Sequence, residues 1–408
     1  MRTLPLPLTP SRKGGPRCYV PPPLAGGGQG EGFLGAFAVT TRSSVAHPSR
    51  RSVLKAGIAA LAASGVPPSA FADPELAGPL TISTWPYYID KDTIPNFEKQ
   101  FGVDVKYIED INDNDSLFGK IAGSLMTGHN PARDIIVPTN FLVSRLIRLK
   151  WVEKFTAEEV PNKKNIEPQF FHARYDPERE YSLPWATILT GLAYNIEKTG
   201  RELTSLTDIF DPELKGHVSM LTEMRDTLAL VMLGMGISPT TATTKDAEAA
   251  IEKVKDAVAS GQVRQFFGND YGAALARGDI WAAFAWSGDI VQLQKDNPNI
   301  RFAKAREGYL RAEDDMVIPL KAKHREAALA WMNYVYQPEI FAPITATIQY
   351  IPVVAGTREL VRKLDPALAD NPLVYPDPEE LAKTHPFVEL SPDDEHEWST
   401  MFEAAIGH

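Results

Sequence analysis

Two uninterrupted apolar runs, Asp134-Ile135-Ile136-Val137-Pro138 and Ile280–Trp286, constrain the fold more than any other feature of this chain. Short runs without polar alternation suit strands buried on both faces, and such strands belong to sheets covered by helices on each side. The segments between them carry helical spacing. A helix is expected over Thr93–Phe101, stopped by Gly102, another over Val143–Lys150, and a third with Ile251, Val254 and Val258 on one face behind Thr244. Leu80–Thr84, Val103–Ile108, Val218–Thr222 and Met316–Pro319 read as further strands, with helices over Asp226–Gly234 and Glu326–Val335. Strands alternating with helices give an α/β fold. In such sheets ligands bind beyond the carboxyl ends of strands. Those ends carry Trp85-Pro86-Tyr87-Tyr88, Thr139-Asn140-Phe141 and Trp286-Ser287-Gly288-Asp289.

Ahead of the folding segment, Ser49-Arg50-Arg51-Ser52-Val53-Leu54-Lys55 precedes the apolar stretch Ala56–Ala63 and the small-residue site Ala70-Phe71-Ala72. This is the pattern of a twin-arginine export signal over residues 49–72, with cleavage after Ala72. Residues 1–48 are rich in Pro and Gly and carry no helical or strand period. They read as a leader outside the fold, either translated and disordered or lying ahead of a later start such as Val45.

Residues 1–72 hold eight of the 42 Lys and Arg and one of the 52 Asp and Glu. The remainder therefore carries 34 basic and 51 acidic groups, a formal charge of −17, which argues against nucleic acid or an anionic membrane as partner. The single cysteine, Cys18, lies in the leader, so disulfides and thiolate chemistry are excluded after residue 72. About 336 residues is too long for one small core and suggests two lobes. The eight histidines are scattered without metal-ligand spacing, and His396-Glu397 lacks the second histidine of a zinc helix. No Gly-x-Ser-x-Gly elbow or phosphate-binding glycine turn is present. Neither catalysis nor a cofactor is expected.

What remains is a set of aromatic and acidic residues: Trp85 and Tyr88; Asp134–Pro138 followed by Thr139 and Phe141; Tyr181-Ser182-Leu183-Pro184; Leu221-Thr222-Glu223; Trp286-Ser287-Gly288-Asp289; Asp314 with Met316–Pro319; and Tyr350. In this order and spacing the chain, from Leu80 onward, resembles the spermidine/putrescine-binding proteins of bacterial ABC importers. The resemblance implies a two-lobed periplasmic binding fold of type II. It also implies a polyamine ligand, a membrane permease as partner, and a monomer in the periplasm. Carried onto this sequence, it makes Trp85, Tyr88, Trp286 and Tyr350 aromatic walls, and sets Asp289 and Asp314 against ammonium groups. Asp226 or Glu223 would supply a further carboxylate and Thr139 a hydroxyl, with Phe141 packing nearby. Two departures stand out: Pro86 and Tyr87 beside the first tryptophan, and Ala312-Glu313 where an aromatic residue commonly precedes Asp314.

The chemistry suits such a ligand. A polyamine is a string of ammonium charges spaced by methylenes, so its site must alternate carboxylates with apolar faces. Each well-placed ring offers roughly 0.5–2 kcal/mol, and each charge-assisted hydrogen bond about 1.5–3 kcal/mol. Lobe one is expected from residues 73–188 with 289–345, and lobe two from 189–288 with 346–408. Crossings near Ile188, Gly288 and Tyr350 would form the hinge. Other readings are the same scaffold holding an amino acid or opine-like zwitterion, with Arg225 binding its carboxylate, and an exported enzyme.

Overall fold

The computed structural model describes residue 76 and residues 78–407. The leader 1–48 with Cys18, the export signal 49–72 and the cleavage point after Ala72 lie outside the described residues. The strands are β1 (Leu80–Thr84), β2 (Val105–Glu109), β3 (Ile135–Ile136), β4 (Ser182–Asn195), β5 (Val218–Leu221), β6 (Val263–Phe267), β7 (Ala282–Trp286), β8 (Ile300–Phe302), β9 (Tyr309–Val317) and β10 (Thr384–His385). The principal helices are α1 (Thr93–Phe101), α2 (Asn114–Met126), α3 (Asn140–Arg148), α4 (Met224–Gly234), α5 (Thr244–Ala259), α6 (Ser287–Asp296), α7 (Pro338–Ile348) and α8 (Pro392–Ile406).

The strands run in the order β2-β1-β3-β9-β4-β7-β5-β6, with β10 on β9 and β8 on β4. At one end β2, β1 and β3 are parallel; at the other β7, β5 and β6 are parallel. The long antiparallel pair β4 and β9, in register from Ser182 with Val317 to Thr190 with Leu310, joins the two blocks. β3 leans on β9 at Val317, and β7 on the far half of β4. Pro184 has no N–H to give the ladder, and the register slips between Pro184 and Ala186.

Apolar residues of these strands make the core: Leu80, Ile82, Ile135, Ile136, Leu183, Met220 and Val317 are all buried. α1 has the bounds expected for it, and Gly102 closes it in the left-handed conformation, φ 68°. α5 buries Ile251, Val254 and Ala257 rather than Val258.

Four expectations are corrected. Asn140 and Phe141 sit in the first turn of α3 with Thr139 as its cap, not in an open loop. Glu313, Asp314 and Asp315 lie within β9 instead of ahead of it, because the strand begins at Tyr309. Tyr350, expected after a strand or turn, follows the C-terminal cap of α7. Trp281 lies just outside β7, half-buried, stacked on His217 at 3.9 Å.

Candidate functional site

Both parallel blocks aim their carboxyl ends at one cleft. β1 delivers Trp85 and Tyr88, β3 leads to Thr139, β5 to Glu223 and α4, and β7 ends on Trp286. Tyr87, at φ 58°, turns the chain between the first two rings and stays exposed while Trp85 and Tyr88 are buried. Its N–H donates to Glu109 Oε1 at 2.8 Å, which fixes the turn.

A narrow cavity of about 30 Å³ lies between these ends, and Trp85, Tyr88, Thr139, Asp226, Trp286, Asp289, Asp314 and Tyr350 all line it. The rings form two pairs: Trp85 meets Trp286 edge-on at 6.0 Å, and Tyr88 meets Tyr350 edge-on at 5.5 Å. The Trp85 indole N–H donates to the Val137 carbonyl at 2.9 Å, tying β1's turn to β3's end.

Each carboxylate is held by neutral donors. Asp314 accepts from the Tyr88 hydroxyl at 2.7 Å and the Thr139 hydroxyl at 2.8 Å. Asp289 accepts from Tyr350 at 2.6 Å and Tyr271 at 2.8 Å. Asp226 accepts from Thr190 at 2.7 Å and the Trp286 indole at 3.3 Å. Among the described residues no Lys, Arg or His lines the cavity.

Burial raises all three aspartates. It pushes Asp314 up to about 7, opposed by its two hydroxyl donors and reinforced by the charges of Asp226 and Asp289. Asp226 is pushed up to about 6, again by burial, with Thr190 and Trp286 acting the other way. Asp289 is raised by burial against the pull of Tyr350 and Tyr271. Burial also lifts Tyr88, Tyr271 and Tyr350 well above the usual phenol range, so they remain neutral donors. Three carboxylates set among aromatic faces make the cavity electrostatically suited to positive charge. A cation entering it holds the carboxylates ionised. Affinity for a cation should therefore rise with pH, by up to about tenfold between pH 6 and pH 7 for one proton released. Calorimetry in buffers of different ionisation enthalpy reads that proton directly. Without ligand the folded protein binds more protons than the unfolded chain, so these groups make its stability fall as pH climbs from the ordinary carboxylate range to about 7.

Gly288 permits the arrangement. A Cβ there would stand 2.5 Å from the Tyr350 ring, far inside van der Waals contact. Gly288→Ala should push Tyr350 off Asp289 and weaken cation binding by about 1–2 kcal/mol, with the melting temperature little changed; an unaltered affinity would show the Tyr350 contact to be dispensable.

Glu223 and Phe141 lie off the cavity wall. Glu223 is buried, takes hydrogen bonds from the backbone N–H and side chain of Asn114 at 3.2 and 3.0 Å, and leaves Oε1 without a partner. Burial and the nearby Asp115 push its carboxyl well above the usual range. Phe141 packs under the Arg225 guanidinium at 4.3 Å. Arg225 is itself engaged by Glu395 at 2.8 Å and does not face the cavity.

Asn114, Ile188 and Asn269 line the cavity and were not anticipated. Asn114 does the most, since its side chain donates to Thr139 Oγ1 at 3.0 Å and accepts from the Thr139 N–H at 3.0 Å. An asparagine at a helix start reads as an ordinary cap, and nothing local distinguishes it. Among the described residues no group of three or more His, Cys, Asp or Glu is placed to hold a metal ion.

Residues 93–375 match the family model described as bacterial extracellular solute-binding protein. The spermidine/putrescine-binding periplasmic protein of Salmonella typhimurium is 25% identical over 305 residues, covering 74% of this chain and 85% of its own. The putrescine-binding periplasmic protein SpuD of Pseudomonas aeruginosa is 29% identical over 335 residues, covering 76% and 87%. Among solved structures, the TpPotD lipoprotein of Treponema pallidum superposes with a TM-score of 0.70 at 20% identity, covering 81% of this chain and 100% of that one. That likeness fixes the fold as the two-lobed binding-protein architecture.

Proposed function

The chain belongs to the bacterial extracellular solute-binding protein family, and on that premise we propose that it captures polyamines, putrescine or spermidine, in the periplasm and delivers them to an ABC permease. One observation carries the reading: Asp226, Asp289 and Asp314 converge with four aromatic rings on a cavity that, among the described residues, no basic side chain lines. Carboxylates suit ammonium groups and ring faces suit the methylenes between them. The named ligands of the similar proteins from Salmonella and Pseudomonas support the same choice. An amino acid or opine-like zwitterion needs a cation for its carboxylate. The candidate for that role, Arg225, is spent on Glu395 instead.

Binding works by closure of two lobes, with β4 and β9 as the strands that cross between them. Trp85, Tyr88, Thr139 and Asp314 come from the side of β1, β3 and β9, and Asp226, Trp286 and Asp289 from the side of β5 and β7. A dication touching both sets stabilises the closed form by its differential affinity. The ligand is bound and released unchanged, and the chain acts as a monomer. No helix among the described residues is long and apolar enough to cross a membrane. Export through the signal at residues 49–72 belongs to the same proposal.

Calorimetric titration of residues 73–408 with putrescine, spermidine, GABA and a panel of amino acids tests the reading. Saturable binding of di- or triamines is the expected result. Binding of amino acids without binding of polyamines overturns the ligand while leaving the family intact.

A further inference from the structure

Away from the ligand cavity, one carboxylate ties together elements from both sides of the cleft. Glu395 stands at the start of α8, and α8 packs on the β5–β7 side: Trp398 donates to Thr244 Oγ1 at 3.2 Å, and Phe402 meets Phe266 edge-on at 6.3 Å. From its own side Glu395 accepts from Arg225 at 2.8 Å. From the opposite side it accepts from Arg148 at 3.2 Å and lies 3.7 Å from Arg145, both on α3.

Two of the three guanidiniums are seated on aromatic rings, and Arg148 is the more exposed third. Arg225 is buried over the Phe141 ring at 4.3 Å, and Arg145 covers the Phe118 ring at 3.5 Å. Glu395 is only 9% exposed. It is the shared anion of three cations, two of which approach it across the cleft. Without it the arginines of α3 face Arg225 with no common carboxylate, and separating the two sides is the simplest way to rehydrate them.

We infer that Glu395, through Arg145 and Arg148, is a closure latch that sets how much of the protein adopts the binding-competent form while touching no ligand. The inference rests on the two-lobe closure proposed above but not on the identity of the ligand. A latch of this kind changes apparent affinity by changing the competent fraction. It also explains why Phe141 and Arg225, both singled out in the sequence, sit off the cavity: they belong to the closing surface.

The experiment pairs Glu395→Gln with Arg148→Gln, a change on the more exposed opposite partner that keeps the chain folded if the first does not. Small-angle scattering of the ligand-free proteins reads closure, and titration with putrescine reads affinity. Both variants should scatter as more open particles than the unaltered protein, and putrescine should bind about tenfold more weakly with faster dissociation. The double variant should lose no more than either single one, because both remove the same link. Unchanged scattering in either folded variant, or additive losses in the double, overturns the latch. Failure of the unaltered protein to bind putrescine would instead count against the ligand proposal, and the scattering comparison would still decide the latch.

Discussion

Replacing Arg179 by Met should destabilise the protein by about 3–5 kcal/mol, the range for stripping one partner from a buried ion pair. Arg179 is fully buried. Its guanidinium donates to Asp315 and to Glu313, each at 2.8 Å, and to the carbonyl of Phe170 at 2.6 Å. Tyr175 gives its hydroxyl to the other oxygen of Asp315 at 2.7 Å. With the arginine gone, Asp315 is a carboxyl without exposure and without a counter-charge. Burial already pushes it up to about 7 against the pull of Arg179, and the charge of Glu313 adds to the rise. The variant should escape part of the cost by keeping the proton, so its deficit in denaturant midpoint should be smaller at pH 5 than at pH 8. A deficit under about 1 kcal/mol at pH 8, the level of an exposed pair, would mean that the network is solvated in solution. Neighbouring aspartates on β9 thus divide their work: Asp315 turns to Arg179, and Asp314 turns to the cavity.

Asp314→Asn should weaken putrescine binding by about 1.5–3 kcal/mol, or roughly 10- to 150-fold in Kd, the range of one hydrogen bond to a charged group. The side chains are nearly isosteric: of the two hydroxyls that now donate to Asp314, one can keep donating to the amide oxygen while the other turns to accept from the amide NH2. The fold should therefore survive, with a melting temperature close to that of the parent. The pH dependence of binding should flatten as well, since burial pushes Asp314 up to about 7. Equal affinity in the two proteins would remove Asp314 from the site.

The local pattern made much of this site legible. β1, α1 and the apolar strand ending on Trp286 follow from short apolar runs, helical spacing and a left-handed glycine, and eight of the ten anticipated site residues line one cavity. What escaped was long-range. Asn114 gains its role from Thr139 and Glu223, 25 and 109 positions away. Arg179 meets Asp315 across 136 positions, and a basic residue in a Pro-Glu-Arg-Glu turn reads as a solvated charge. Glu223 and Phe141 flank the same strand ends as the residues that line the cavity, and the local sequence cannot separate a cavity wall from the surface beside it. Helix and strand bounds shifted where tertiary pairing decided them, as when β9 extended back to Tyr309 along β4.

The crossing of β4 and β9 also bears on the order in which this chain acquires structure. β3 is completed on its free edge by β9, at a residue 181 positions later, Val317 beside Ile136. A growing polypeptide that has emerged only to residue 300 holds β1, β2 and β3 with that edge bare, and β4 lacks the partner along which most of its length is paired. Contacts of such separation are slow to form and leave apolar edges uncovered meanwhile. Neither half of the molecule should mature by itself during synthesis. The two halves become stable together, late, once the segment ending at Val317 is free to add its strand to the middle of the sheet.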